Sequence, residues 1–378
     1  MMIFTKQFPL FGFAVSLLFI NARYATAFEF NVNLPSSRAM SMAGAFVAQA
    51  DDSSAIWYNP AGMQLHSLIT NDVTLESGRN LTPKLESDIN EGVSYDTSSA
   101  LKYIASYTKK IPFVEKNTLN LGAGVAVIRL YSLAINVNER SSAIDSTQTF
   151  GIVDADYYQS SIAVNKKLGS TISVGATLDF IWTNVRCHTF DRCVKNGPTG
   201  FGYTLGYMHN IFSDLDNVLR LGLVWRSNVD LSYSSIPEHE YNLTVALEDY
   251  LPGRPQQLEL GASWQYSTTF ALINSNVAFG KSEWSKQVVD NQPETDYSYF
   301  AMGNEWVFSV AKNRSLAFRL GYRYSDPENP KLGSSITSYT LGGGTNLTEK
   351  IYFDVAIEQR ALDKEKLDML TMSVSYQN

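Results

Sequence analysis

"SLAFRLGYRYS", Ser315 to Ser325, reads in steps of two: Leu316, Phe318, Leu320, Tyr322 and Tyr324 alternate with Ala317, Arg319, Gly321 and Arg323. Successive side chains of a β-strand point to opposite faces, so this stretch has one apolar face and one small or charged face. "NVLRLGLVWRS" (217–227) sets Leu219, Leu221, Leu223 and Trp225 against Arg220, Gly222, Val224 and Arg226. "TISVGATLDFIW" (171–182) sets Ile172, Val174, Ala176, Leu178 and Phe180 against Ser173, Gly175, Thr177 and Asp179. "KIYFDVAIEQ" (350–359) and "LDMLTMSVSYQ" (367–377) follow the same rule.

A soluble sandwich alternates too, with its apolar faces turned inward. Two features favour a membrane barrel. The segments mostly run to ten or more residues, long for soluble strands and suited to a tilted crossing. Their connections also alternate in length. "KKLGS", "STT", "AKNR" and "NLTEK" are tight turns, whereas Gly78–Ser98, Arg186–Pro198, Ser234–Pro255 and Trp284–Asp296 are long. Outer-membrane barrels combine short periplasmic turns with long outer loops. The expected fold is therefore all-β, a transmembrane antiparallel β-barrel over 67–378. About fourteen strands are expected, starting near Leu68, Ala100, Leu119, Thr149, Thr171, Gly200, Val218, Gln256, Phe270, Tyr297, Arg314, Ser335, Lys350 and Leu367.

Composition agrees. Charged residues make up 18% of the chain, aromatics 12%, and 21 tyrosines and 24 glycines accompany a formal charge of -7. Such a balance offers no basic footprint for nucleic acid and does not suit disorder. At the N-terminus, Lys6 precedes the apolar run "FPLFGFAVSLLFI", and "ATA" at Ala25–Ala27 is a small-x-small cleavage site. Residues 1–27 thus read as a secretory signal peptide, with the mature chain starting at Phe28. The run is too short for a helical anchor. Export favours a disulfide between Cys187 and Cys193 in "CHTFDRC"; the competing reading, a metal site through His188, lacks a clear further ligand.

Ahead of the strands lies a stretch of different character, "ADDSSAIWYNPAGM", Ala50 to Met63. Asp51 or Asp52 is placed to cap a short helix, "SSAIWY". Pro60 keeps Asn59 out of helical geometry, and Gly62 offers a flexible exit toward the first strand. The segment 28–66 is too short for an independent domain. Its Ala, Ser and Met residues suit a confined space, and a barrel of this size needs its lumen controlled. The expectation is an N-terminal hatch, with Asn59, Pro60 and Ala61 as a rigid corner. A helix stop before a linker is the plainer alternative.

"SRAMSMAGAFVAQADDSSAIWYNPAGM" (37–63) resembles the N-terminal signature of the FadL/TodX outer-membrane transporters of hydrophobic compounds. Weaker echoes follow in "GFGYTLGY", "LRLGLVWRS", "LPGRPQQLELGASW", "SEWSK" and "FRLGYRYSDPENP". Ser41 and Ala43 stand where that family often has glycine. The resemblance implies a fourteen-stranded barrel with an N-terminal hatch, in the bacterial outer membrane, with outer-membrane lipids as partners and the barrel-assembly machinery as a partner during biogenesis. It implies capture of a hydrophobic small molecule or lipid by outer loops, transfer to a pocket near the hatch, and sideways release. An apolar solute released this way need not re-enter water.

Candidate contacts for such a ligand are Phe28 and Phe30 at the mature start and the stripe in "EYNLTVALEDYLPG". There Leu243, Leu247 and Leu251 recur every four residues, with Val245 and Tyr250 adding apolar surface, as on an amphipathic helix ending before Pro252. Packing onto neighbouring loops would explain the same stripe. Lumen charges such as Asp179, Arg220, Arg226, Glu259, Arg319, Arg323, Asp354 and Glu358 suit pairing across a polar interior, or an arginine could meet a ligand carboxylate. No enzyme is expected: there is no G-x-S-x-G, and His66, His188, His209 and His239 begin no H-x-S or H-E-x-x-H pattern. No cofactor, metal or nucleic acid is expected, and the chain should be a monomer. Passive uptake of hydrophobic molecules is the leading reading. The alternative is a barrel resembling the PorV protein of the type IX secretion system, which escorts secreted proteins.

Overall fold

The computed structural model describes residues 34–63, 71–81, 102–111, 121–140, 147–187, 197–232, 253–289, 292–293, 295–311, 313–330, 333–362 and 365–378. Its strands are β1 (Asn71–Asn80), β2 (Lys102–Ile111), β3 (Leu121–Arg140), β4 (Thr147–Leu168), β5 (Ile172–Cys187), β6 (Thr199–Ser213) and β7 (Asn217–Arg226). They continue as β8 (Gln256–Ser267), β9 (Ala271–Glu283), β12 (Tyr297–Ala311), β13 (Arg314–Pro327), β14 (Ile336–Asn346), β15 (Ile351–Leu362) and β16 (Glu365–Gln377). A two-residue pair, β10 (Val288–Val289) and β11 (Gln292–Pro293), sits apart in the link between β9 and β12. The long strands form one closed antiparallel barrel, each pairing with its sequence neighbours, and β1 seals it against β16 from Asp72↔Gln377 to Asn80↔Met369. Starts read from the sequence at Gln256, Tyr297 and Arg314 coincide with β8, β12 and β13. The expected start at Leu68 lies outside the described residues, and β1 is described from Asn71. No described helix is long and apolar enough to cross a membrane.

The two faces of the wall separate the barrel from a sandwich. Leu75, Ile162, Leu178, Leu260, Phe279 and Leu316 point outward and are exposed, and Phe201 reaches 70%. Between them, Thr74, Ser161, Thr204, Arg226, Glu305 and Thr371 point inward and are buried, and Asp179 is 0% exposed. A sandwich in water would hide the apolar face and wet the polar one. The described wall does the reverse.

The segment 34–63 is almost wholly buried and carries two one-turn helices, α1 (Ser37–Met40) and α2 (Ala55–Tyr58), then a 3-10 turn at Pro60–Gly62. Helix α1 packs on β14, β15 and β16, helix α2 on β3 and β4, and the 3-10 turn on β4, β5 and β6. These strands lie on different sides of a closed ring, so the segment is enclosed by the wall.

Room for it comes from glycines on the inner face. A Cβ on Gly206 would stand 2.3 Å from Asn59 Oδ1, on Gly222 2.4 Å from the Val47 carbonyl oxygen, and on Gly342 2.3 Å from Ser41 Cβ. Gly303 and Gly321 approach Met42 equally closely and are register partners, as are Gly175 and Gly206. Ser41 and Ala43 therefore do not prevent close packing: the wall supplies the glycines. The chain reverses at Ala43 and Gly44, with φ of 55° and 74°. Gly62 lies 2.0 Å (as a built Cβ) from the Ala50 carbonyl oxygen, so glycine serves a close approach there rather than a flexible exit.

Candidate functional site

The enclosed segment is tied together at its corner. Asn59 takes an extended conformation before Pro60, and its Oδ1 accepts from the Ala61 amide at 3.1 Å. Its Nδ2 donates to the carbonyls of Val47 at 2.9 Å and, across to β6, Tyr207 at 3.1 Å. One asparagine thus joins two parts of the segment to the wall, with every polar atom of its amide used. Tyr58 adds a bond from its hydroxyl to the Pro35 carbonyl at 2.8 Å.

Of the two aspartates read as caps for the stretch 53–58, Asp52 takes that role and Asp51 does not. The N-cap of α2 is Ser54, which makes no side-chain cap. Asp52 instead accepts from the Ser54 amide at 2.9 Å, just before the helix, while Asp51 turns away to Arg38 at 2.6 Å. The amides of α2 already bond back to the carbonyls of Asp52, Ser53 and Ser54, and the nearby guanidinium draws the carboxylates.

Arg38 is the centre of a buried network. It contacts Asp51, Asp52 at 3.3 Å and Glu305 of β12 at 2.9 Å. Glu305 also accepts from Arg319 at 2.7 Å, Gln49 at 3.1 Å and Asn274 at 2.7 Å, and Arg319 continues to Asp354 at 2.6 Å. Burial disfavours the Arg38 charge, but Asp51 and Glu305 outweigh it and hold the guanidinium well above its ordinary value. Burial raises the Asp52 carboxyl; Arg38 lowers it and Asp51 raises it again.

From the other side, Arg226 of β7 donates to the Trp57 carbonyl at 2.6 Å, pairs with Glu259 at 3.0 Å, and lies over the Trp57 ring. A cation at the carbonyl end of α2 is favourable electrostatically. A small cavity remains beside the segment, lined by Leu34, Ile336, Arg323, Ser338, Glu358 and Arg360. Among the described residues no group of three His, Cys, Asp or Glu side chains converges as metal ligands would.

Of the residues singled out in the sequence, Asn59, Pro60 and Ala61 come together in the lumen. Asp179, Arg226, Glu259, Arg319, Asp354 and Glu358 are inward and buried, and Arg220 and Arg323 are half-buried. Arg220 bonds Gln265 at 3.0 Å, and Arg323 lies 3.7 Å over the Tyr299 ring. Phe28, Phe30, Leu243, Val245, Leu247, Leu251 and Cys193 lie outside the described residues; Cys187 is described only as the last residue of β5. Sequence reasoning missed Arg38 and Glu305. A lone cation in an Ala-, Ser- and Met-rich segment, and a carboxylate at an inward position of β12, were the available signals.

No family model matches the chain, and no curated protein matches it by sequence. Solved structures do. The toluene transporter TbuX of Ralstonia pickettii matches with a TM-score of 0.61 at 15% identity, covering 93% of this chain and 99% of that one. The monoaromatic hydrocarbon channel CymD matches at 0.59 and 12%, covering 90% and 96%. A FadL homologue of Pseudomonas aeruginosa matches at 0.54 and 11%, covering 92% and 99%. Over most of its length, this chain has the fold of the FadL-type hydrocarbon channels.

Proposed function

We propose that the chain is a FadL-type channel of the bacterial outer membrane that takes up hydrophobic molecules passively, with residues 28–66 as its hatch. The inverted wall carries this reading: an apolar exterior over the described strands fits lipid, and a polar interior holds an enclosed plug. The shared fold with a toluene transporter and a monoaromatic hydrocarbon channel supports a hydrophobic cargo. Sideways release into the membrane belongs to this reading, and a bulge in the paired wall is a candidate place for it. Midway along β3 the register shifts between Arg129 and Tyr131, leaving Leu130 as an extra residue. An apolar solute leaving there avoids a second passage through water.

Initial uptake of radiolabelled toluene and oleate by cells with a lipopolysaccharide outer leaflet tests the proposal. Cells carrying the folded chain should accumulate at least one several-fold faster than cells without it. Equal rates for both would overturn it, and a secreted protein co-purifying with the barrel would redirect attention to escort.

A further inference from the structure

Arg254 lies just before β8, outside the regular wall, yet it is 2% exposed. It belongs to a short inward fold made by 227–232, after β7, and 253–255, before β8. Val229 and Arg254 form an isolated bridge, and Thr199 and Ser232 form another. Gly200 and Gly202 of β6 let Val229 in; a Cβ on Gly202 would stand 2.4 Å from it. From there the fold reaches across the barrel. The Gly253 carbonyl accepts from the Tyr131 hydroxyl of β3 at 2.9 Å, and its amide donates to Gln287, beyond β9, at 2.7 Å. The strands from β3 to β9 make up about half the ring, so this collar spans a chord of the lumen. It stands at Gly202, four residues along β6 from the Gly206 that touches Asn59, roughly 13 Å at the usual strand rise.

We infer that this collar is a second closure of the lumen, in series with the N-terminal segment, and that the Asp179–Arg254 ion pair is its catch. The inference rests on the reading of the barrel as a plugged membrane channel. Arg254 Nη1 meets Asp179 Oδ2 at 2.6 Å and Gln159 Oε1 at 3.0 Å, while its contacts to the Tyr203 and Ser227 carbonyls are long, at 3.4 Å. Asp179 is also held by hydroxyls of the wall: Ser161 at 2.7 Å, Thr177 at 2.8 Å and Thr204 at 3.0 Å. When Arg254 leaves, the carboxylate keeps three donors, so opening does not strand a bare buried charge. The continuous β6–β7 and β7–β8 ladders end at Arg226, with partners Thr204 and Gln257. Lifting the collar therefore leaves those ladders paired and breaks the backbone bonds of Ser227 to Tyr203 and of Ser232 to Thr199, besides the Arg254 and Gly253 contacts.

Planar-bilayer conductance of the full chain and four full-length variants tests this: R38E, R254Q, R38E/R254Q and R38E/R254K. R38E sets a carboxylate against Glu305 and so frees the N-terminal segment. The expected result is at least tenfold more conductance in R38E/R254Q than in either single variant. R38E/R254K, which keeps a cation beside Asp179, should stay near R38E. If R38E alone conducts as well as R38E/R254Q, the collar is no barrier and the inference falls. A silent R38E/R254Q that still shows heat-modifiable barrel mobility also overturns it, provided the chain lacking 28–49 with R254Q is silent too. If R254Q alone matches the double variant, the collar stands and the hatch reading fails.

Discussion

At the scale of single residues, Arg38 shows how a mostly apolar segment is held in a polar lumen. Its guanidinium satisfies two carboxylates of its own segment and one of the wall, and each would be costly to bury alone. Replacing it with Met leaves Glu305 with Arg319, Gln49 and Asn274, but removes the cation that lies 2.6 Å from Asp51. Breaking a buried pair costs about 3–5 kcal/mol, and the partial exposure of Arg38 places the loss at the low end. Arg38→Met should therefore make 34–63 cleavable by protease while the barrel keeps its heat-modifiable mobility. Unchanged protection of the segment would show that the network is dispensable.

At the scale of elements, segment and wall fit because side chains are absent where they meet. Neighbouring glycines of β14 make the point. A Cβ on Gly342 would stand 2.3 Å from Ser41 Cβ, whereas on Gly343 the nearest atom is the Ala317 carbonyl oxygen at 3.5 Å. Gly342→Leu should expel the segment or prevent its docking, and Gly343→Leu, pointing the other way, should be tolerated. Protease protection of 34–63 in the two variants reads this directly; equal protection would contradict the close approach. The same alternation that defines the strand thus decides which glycine is structural.

For the whole molecule, the inverted wall predicts where charge is forbidden. Leu260, in the middle of β8, is 54% exposed and flanked in register by Leu223 and Phe279. In a bilayer, Leu260→Arg should cost about 2–4 kcal/mol. On a protein surface in water the same change should cost little. Denaturant unfolding in lipid vesicles measures the difference, and an unaltered midpoint would argue against lipid on that face.

The period-two pattern was legible in the sequence because each strand carries its own two faces, whatever its partners. Leu221 and Leu223 against Gly222 and Arg226, or Leu316 and Leu320 against Arg319 and Gly321, announced strands, alternation and an interior of small and charged side chains. The extended corner at Asn59 was legible as well, since Pro60 acts on its immediate neighbour. Period alone could not say which face met water, nor that Glu305 would meet Arg38 across 267 positions of sequence. Nor could it give Gly206 and Gly342 their roles, or bring Arg254 to Asp179 inside the lumen. Local chemistry determines the conformation of a strand or a turn. Contacts between residues far apart in the chain exist only once the barrel has closed, and only the tertiary structure decides them.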